Sequence, residues 1–527
     1  MQRAGFAPAL YLLLVVGCAT RPATAPALAP TAAAVASVPA VDAWAPPALP
    51  LPAPIAASEY AARRDRLATR MGDGVFLALG APEPAADYLT FNQNSYFRYL
   101  TGIVEPGAAL VVVRRGTTVA SRLFVRPRDP AREVWDGARL GVAGATARTG
   151  LPTSPAAQLL AALDSLLHDG GTLYTASPAG VSDDPLATLT DEQQVARALG
   201  ARHRGVRILS LDSEIQRLRA KKSTAEIDRV RRAVYVTSLA QRAAMRTMEP
   251  GLNEFEIQAV IEHAFRRNGS ERPSFASIVG SGPNSTALHY NADDRFIGEG
   301  EVVVMDVGAS YDGYAADVTR TVPADGRFSP DQRAVYEIVL AAQKAAESRA
   351  RPGATWQQLD SAADSVIARG LTRLGLIDSP DATYRCALRA GSGLCRQMQL
   401  FYMHGLGHGL GLDVHDPEIS YSGVFLVGSI FTIEPGIYIR GDVLDQLTDI
   451  PENEALMARI RPAVERLRNI GVRIEDDFLI TPDGVDRLSS GAPREIDEIE
   501  ALMRLPGIST PERRPEVVEW YHGLGKK

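Results

Sequence analysis

Residues 302–322, VVVMDVGASYDGYAADVTRTV, constrain the fold of this chain more than any other stretch. Two apolar, β-branched runs flank an Asp312-Gly313 pair, a strong signal for a hairpin because both residues tolerate the positive φ that tight turns need. Taking Ser310–Gly313 as the turn places Asp306 opposite Asp317, with Cβ atoms roughly 5 Å apart. Two carboxylates so close among apolar neighbours repel, and they are stable only with a shared proton or a cation between them. The cation is the preferred reading, and it predicts further ligands elsewhere in the chain.

With 527 residues the chain exceeds one ordinary core, so two domains plus appendages are expected. Basic and acidic side chains number 56 and 62, a net charge of -6 without long single-sign runs, which argues against nucleic-acid binding. Arg3 precedes an apolar run from Ala9 to Val16, too short to span a bilayer and typical of an export signal. The run ends Leu14-Val15-Val16-Gly17-Cys18, which resembles the lipobox of bacterial lipoproteins. That resemblance implies a periplasmic protein anchored to a membrane through a lipid on Cys18. Cleavage at a later site such as Ala23-Thr24-Ala25, giving a soluble periplasmic or secreted protein, is the alternative. Cys386 and Cys395 then remain, able to close a local disulfide in an oxidising compartment.

Residues 1–18 thus read as a signal peptide and 19–55, rich in Ala and Pro, as a tether. Ser58 is expected to cap a helix ending near Gly72. Strands at 74–79, 108–114 and 119–125 and helices near 155–168 and 190–201 make 56–215 a mixed α/β domain. From 216 to 482 a pattern of two helices followed by strands occurs twice, suggesting pseudo-symmetric halves. Its helix starts carry the capping pairs Ser223/Glu226, Asn253/Glu256, Ser329/Gln332 and Thr355/Gln358. Strands near 429–439 and 470–480 close the second half. Residues 440–468 read as a loop with a short helix, and 483–527 as a polar, turn-rich tail.

Of eight histidines, three fall in MHGLGHGLGLDVH, as His404, His408 and His415. The spacing of His404 and His408 suits a helical zinc pair, but the glycines at 405, 407, 409 and 411 oppose a helix and favour close backbone approach to a site. Two further acids stand in strand-like runs: Glu434 in FTIEPG, held extended by the following proline, and Glu475 in GVRIEDDFLIT.

In these motifs and this order, Asp306, Asp317, His408, Glu434 and Glu475 resemble the ligand set of the pita-bread metallopeptidases, in their Xaa-Pro aminopeptidase (aminopeptidase P) and prolidase branch. The motifs MDVGASYDGYAADVTRT, MHGLGHGLGLDVHD, TIEPGIYI and GVRIEDDFLIT carry the likeness, which runs over about residues 60–482. It implies an α/β chain in which a creatinase-like N-terminal domain precedes a pita-bread, pseudo-two-fold α+β catalytic domain. It also implies two divalent ions. Asp306 and Asp317 would hold one, and Asp317, His408, Glu434 and Glu475 the other, with Asp317 and Glu475 bridging. Four carboxylates and two divalent ions balance in charge. Oxygen-rich ligation with one imidazole suits Mn²⁺, with Zn²⁺, Co²⁺ or Fe²⁺ as alternatives.

The same resemblance implies hydrolysis of the bond between an N-terminal residue and a following proline. Glu434 would carry the proton, His289 and His415 would stabilise the developing oxyanion, and His404 would support them at the substrate. Arg473, two residues before Glu475, would contact a ligand carboxylate or form a surface ion pair. Family members associate as dimers or tetramers, so a homo-oligomer is expected. A prolidase acting only on Xaa-Pro dipeptides is the near alternative, and a metal-free binding module on the same fold the distant one. The segment 376–400, with its two cysteines, is an addition expected to border the active-site mouth.

Overall fold

The strand Gly74–Leu79, GVFLAL, is apolar throughout and sits near the middle of a six-stranded sheet. A strand buried on both faces reads as such a run. Across the sheet the order is Thr153–Pro155, Thr118–Val125, Ala109–Arg115, Gly74–Leu79, Gly171–Thr175 and Val206–Ser210, in mixed parallel and antiparallel pairing. Leu163, Leu167 and Leu199 cover one face. The structure, a computed structural model, describes residues 46–507 apart from 87–88, 178–188, 389–390, 418–422 and 448. The leader with Cys18, the tether through residue 45 and the chain from 508 onward lie outside the described residues. Among the described residues no helix is long and apolar enough to cross a membrane.

The first helix, Ala57–Ala68, starts two residues earlier than expected and is capped by Ala56 without a side-chain hydrogen bond. Ser58 therefore lies in the first turn. Residues 46–55, expected to be free tether, are instead held to the helix Thr224–Thr247, where Arg232 donates to the Leu49 carbonyl at 3.2 Å and Arg229 to that of Ala53 at 2.9 Å.

In the second domain the four expected capping boxes all form, opening the helices Thr224–Thr247, Glu254–Arg267, Pro330–Glu347 and Trp356–Leu374. Each helix pair is followed by its own strands. The hairpin Val302–Val307/Val318–Pro323 serves the first half, and Ile430–Ile433, Gly436–Ile439, Ile470–Arg473 and Asp476–Thr481 the second. One buried glutamine in each half ties helix to strands. Gln241 donates to the Met305 and Val318 carbonyls at 2.9 and 2.8 Å, and Gln343 to those of Ile433 and Ile474, both at 3.0 Å.

The hairpin register differs from the expected one. Asp312 and Gly313, with φ of 48° and 78°, are the two central turn residues, so Asp306 faces Thr319 and Asp317 is its diagonal neighbour. The slip is two residues, and since side chains alternate with period two, both acids keep the same face. The strands carrying Glu434 and Glu475 are likewise shorter than expected. Both pairs are interrupted at one level, by Glu434-Pro435 on one side and Ile474-Glu475 on the other.

Two segments are more ordered than their sequences suggest. Residues 451–467 form a 17-residue helix that accommodates Pro462, with Leu456, Ile460, Val464 and Leu467 buried along one stripe. The expected tail contributes the strand Gly484–Arg487, paired with Asp476–Thr481, and the helix Ile496–Met503 with Ile496, Ile499 and Leu502 buried. Cys386 and Cys395 form a disulfide across the hairpin Thr383–Leu388/Gly391–Arg396.

The two domains share one apolar cluster. Phe97, Leu100 and Leu110 of the first pack with Tyr314, Ala315 and Val318 of the hairpin and with Leu410, Leu412 and Ile430.

Candidate metal centre

All nine residues singled out from the sequence, Asp306, Asp317, His289, His404, His408, His415, Glu434, Arg473 and Glu475, line one cleft of about 630 Å³. Local chemistry explains how each arrives. Asp306 is carried by the buried strand Val302–Val307, and Asp317 precedes Val318–Pro323. His408 comes from the glycine-rich run, which lies against the strand Ile430–Ile433: Thr432 N–H donates to the His408 carbonyl and Glu434 N–H to that of Leu406, both at 2.8 Å. A Cβ at Gly407 would collide with the Thr432 carbonyl, so glycine is what permits this approach. Glu434 and Glu475 face the cleft from the two interruptions.

The tightest group is Asp317, His408 and Glu475, whose ligand atoms all lie within 4.8 Å of one another. His408 Nε2 is 3.5 Å from Asp317 Oδ2 and 3.4 Å from Glu434 Oε1. Its Nδ1 is 3.0 Å from the Gly409 carbonyl, which can only accept. The proton therefore sits on Nδ1, and the Nε2 lone pair faces the carboxylates.

Electrostatics mark the site as built for cations. Burial pushes Asp317 well above the usual carboxylate range, and neighbouring Glu475 and Asp306 push it further. Burial, then Glu434 and Asp306, does the same to Glu475. Glu434 rises to about 8, again mainly through burial, with Arg473 opposing. Burial lowers His408 and His404 to about 4, so both imidazoles are neutral near pH 7. Asp306 Oδ1 and Asp317 Oδ1 are buried without a hydrogen-bond partner. Buried anionic oxygens left bare, next to an imidazole lone pair, fit hard divalent cations.

Arg473 is 3 % exposed, not a surface residue. It donates to Asp306 Oδ2 at 2.6 Å, to the Tyr438 hydroxyl at 2.8 Å and to Thr319 Oγ1 at 3.3 Å. Thr319 donates in turn to Glu475 Oε2 at 2.6 Å. His404 Nδ1 lies 2.7 Å from the Gly405 carbonyl, leaving Nε2 to accept from Tyr438 at 2.8 Å. One guanidinium thus orients acids from both halves. His415 packs its ring on that of His408, with centroids 4.3 Å apart.

Sequence reasoning passed over Thr319, Tyr438, Gln241 and Gln343. Thr319 was within reach, since the correct hairpin register puts it opposite Asp306. Among the described residues, none of the disulfide hairpin, expected at the active-site mouth, lines the cleft. It packs elsewhere because Asn453 bonds both backbone groups of Arg385, at 3.2 and 2.9 Å, and Arg396 pairs with Asp364 at 2.8 Å.

A family model described as metallopeptidase family M24 matches residues 228–482, and one described as aminopeptidase P, N-terminal domain, matches 60–174. An Xaa-Pro aminopeptidase of Haemophilus influenzae is 36 % identical over 420 residues, covering 78 % of this chain and 88 % of that protein. A human Xaa-Pro dipeptidase is 30 % identical over 484 residues, 84 % of this chain and 93 % of that one. The solved structure of aminopeptidase P from Escherichia coli with the inhibitor Pro-Leu aligns with a TM-score of 0.72 at 31 % identity, covering 86 % of this chain and 99 % of that one.

Proposed function

The chain belongs to metallopeptidase family M24, and on that premise we propose that it is an Xaa-Pro aminopeptidase, a hydrolase releasing an N-terminal residue that precedes proline. The observation that carries the reading is the convergence of four carboxylates and one imidazole in one buried cleft with bare carboxylate oxygens. We assign Asp306, Asp317, His408, Glu434 and Glu475 to two divalent ions, with Mn²⁺ preferred for the oxygen-rich donor set. When bound, such ions supply Lewis acidity and lower the pKa of water.

The chain's own residues do the rest. Glu434 takes a proton from the attacking water and returns it to the leaving prolyl nitrogen. His289 and His415 line the cleft and donate hydrogen bonds as charge grows on the carbonyl oxygen. His404, fixed by Tyr438, supports the substrate beside them. Arg473 holds Asp306, and Thr319 holds Glu475.

The aminopeptidase reading is favoured over prolidase by charge. A dipeptidase must seat the substrate's free C-terminal carboxylate close to the metals, and among the described cleft residues the lone guanidinium, Arg473, is occupied by Asp306. The stretch from Gly409 to Ser429 contains no Lys or Arg. A longer peptide needs no such anchor. The disulfide supports an oxidising compartment, hence export, with Cys18 as lipid anchor.

The test is hydrolysis of Xaa-Pro and Xaa-Pro-Yaa by purified protein, with chelator and with Mn²⁺ restored, alongside metal analysis. Chelator-sensitive cleavage of the tripeptide is expected, and dipeptide cleavage alone would instead make it a prolidase. Mass spectrometry of the mature N-terminus is expected to find acylated Cys18; an unmodified terminus further along would end the lipoprotein reading.

A further inference from the structure

His415 sits in a small closed loop, Gly409 to Asp416, whose ends are bridged to each other. Backbone bonds to Ile430 and from Ala315 seat the loop within the catalytic domain, and the side chains that hold its two acids come from the first domain and the linker that follows it. Arg219, on the helix Asp212–Ala220 that leads out of the first domain, is 3 % exposed, and its Nη2 donates to Asp413 Oδ2 at 2.6 Å and to Asp416 Oδ1 at 2.5 Å. Lys222 Nζ pairs with Asp416 Oδ2 at 3.0 Å, both side chains being 1 % exposed. Ser95, first residue of the helix Ser95–Thr101, donates to Asp413 Oδ1 at 2.5 Å. Three residues later on that short helix, Arg98 pairs at 2.7 Å with Asp312, in the turn of the hairpin carrying Asp306 and Asp317.

Arg219 and Lys222 fall between the two family-matched regions, 60–174 and 228–482. Two acids flanking His415 thus meet two buried cations and a hydroxyl supplied by the first domain and its linker.

We propose that Arg219, with Lys222 and Ser95, is a positioning clamp for His415, through which the N-terminal domain sets the turnover rate of the metal site. The charges explain the rigidity. Two cations against two carboxylates satisfy each other, and removing either sign leaves a buried charge uncompensated, so the loop has one favourable arrangement. His415 stays against the His408 ring because the residue after it cannot move. The proposal rests on the peptidase reading only for its kinetic readout.

The experiment uses full-length, metal-loaded protein. Arg219→Met is expected to lower kcat about 10- to 100-fold, the range for displacing a catalytic group by a fraction of an ångström to one ångström, with KM changed by less than about twofold and metal content per chain unchanged. Arg219→Lys should recover part of the loss. In a His415→Ala background, Arg219→Met should add little, because both act through one side chain. Amide exchange over residues 409–416 should quicken in Arg219→Met and, more weakly, in Ser95→Ala.

An unchanged kcat in Arg219→Met, a full additive loss in the double variant, or metal lost in step with activity would each overturn the clamp. Should Arg219→Met fail to fold, Ser95→Ala, which removes no charge, decides: unchanged exchange over 409–416 rejects the proposal. Failure of the unmutated protein to cleave any Xaa-Pro peptide would reject the peptidase reading instead, and the exchange measurement would still judge the clamp.

Discussion

The two halves of the catalytic domain present their acids from the same kind of interrupted hairpin but close and brace it differently. The first offers Asp306 and Asp317 from a hairpin closed by a two-residue turn, its ladder interrupted at Gly308 and Ala316-Asp317. The second offers Glu434 and Glu475 from strand pairs interrupted in the same way but joined through residues 440–469 instead of a tight turn. A buried glutamine amide pins the backbone beside the acids in each, yet the Gln241 carbonyl oxygen is buried without a partner, whereas that of Gln343 accepts from Arg494 at 2.9 Å. Arg494 also pairs with Asp476 at 3.2 Å and with Glu347 at 2.7 Å. The second half borrows from a distant segment through Arg494, which braces Gln343 and Asp476 beside the interruption that lets its two glutamates face the cleft.

Removing a ligand from each half should give the largest effect. Glu434→Ala is expected to cut kcat by roughly 10²- to 10⁴-fold through loss of proton transfer. Asp317→Ala should abolish turnover together with metal, as read by metal analysis on the same preparation. Equal metal retention in both variants would erase the distinction between the halves.

Next, Arg494→Met should destabilise the protein by roughly 3 to 5 kcal/mol, since it leaves Asp476 and Glu347 short of a buried partner; denaturant unfolding of the metal-loaded protein measures it. Asp476 sharpens the point. Burial acts to raise its pKa, but Arg320, Arg487 and Arg494 outweigh it and hold it at about 2, against an ordinary 3.8. A depressed pKa contributes stability that is full above the ordinary value and lost as pH falls through the depressed one. Acid unfolding should therefore show a component between 3.8 and about 2 that Arg494→Met weakens.

Thr319→Val, which cuts one bond to Glu475, should weaken metal binding by about 10- to 100-fold with the fold intact. Metal titration would show it. Binding should also tighten as pH rises toward about 8, because Glu434 must release its proton to ligate. The smallest difference separates the glutamines. Each Gln→Met variant frees two carbonyls, at a cost of about 1 to 3 kcal/mol, but Gln241→Met also removes an unpaired oxygen and should cost less than Gln343→Met.

What could be read from sequence follows the same divide. Helix starts were legible because a capping box is local, two side chains three residues apart, and the hairpin because Asp-Gly is local too. Its register was not, because the turn could centre on Tyr311-Asp312 or on Asp312-Gly313. The alternation of side chains protected the ligand prediction from that error. The strand interruptions, the burial of Arg473 and the roles of Tyr438 and Gln343 depend on partners far along the chain. Arg494 looked like part of a polar tail because nothing near it in sequence announces Asp476. The stripe of Leu456, Ile460, Val464 and Leu467 makes the helix expected within residues 440–468 longer than the short one anticipated.

Tyr314, Ala315 and Val318 are as much a part of the first domain's apolar interior as of the hairpin that bears the ligands. The two domains are therefore not interchangeable modules. A catalytic domain cut free at the linker would open this interior to water and tend to aggregate, and grafting a foreign N-terminal domain would demand matching side chains at Phe97 and Leu100. Recombination at this boundary is therefore constrained by shape.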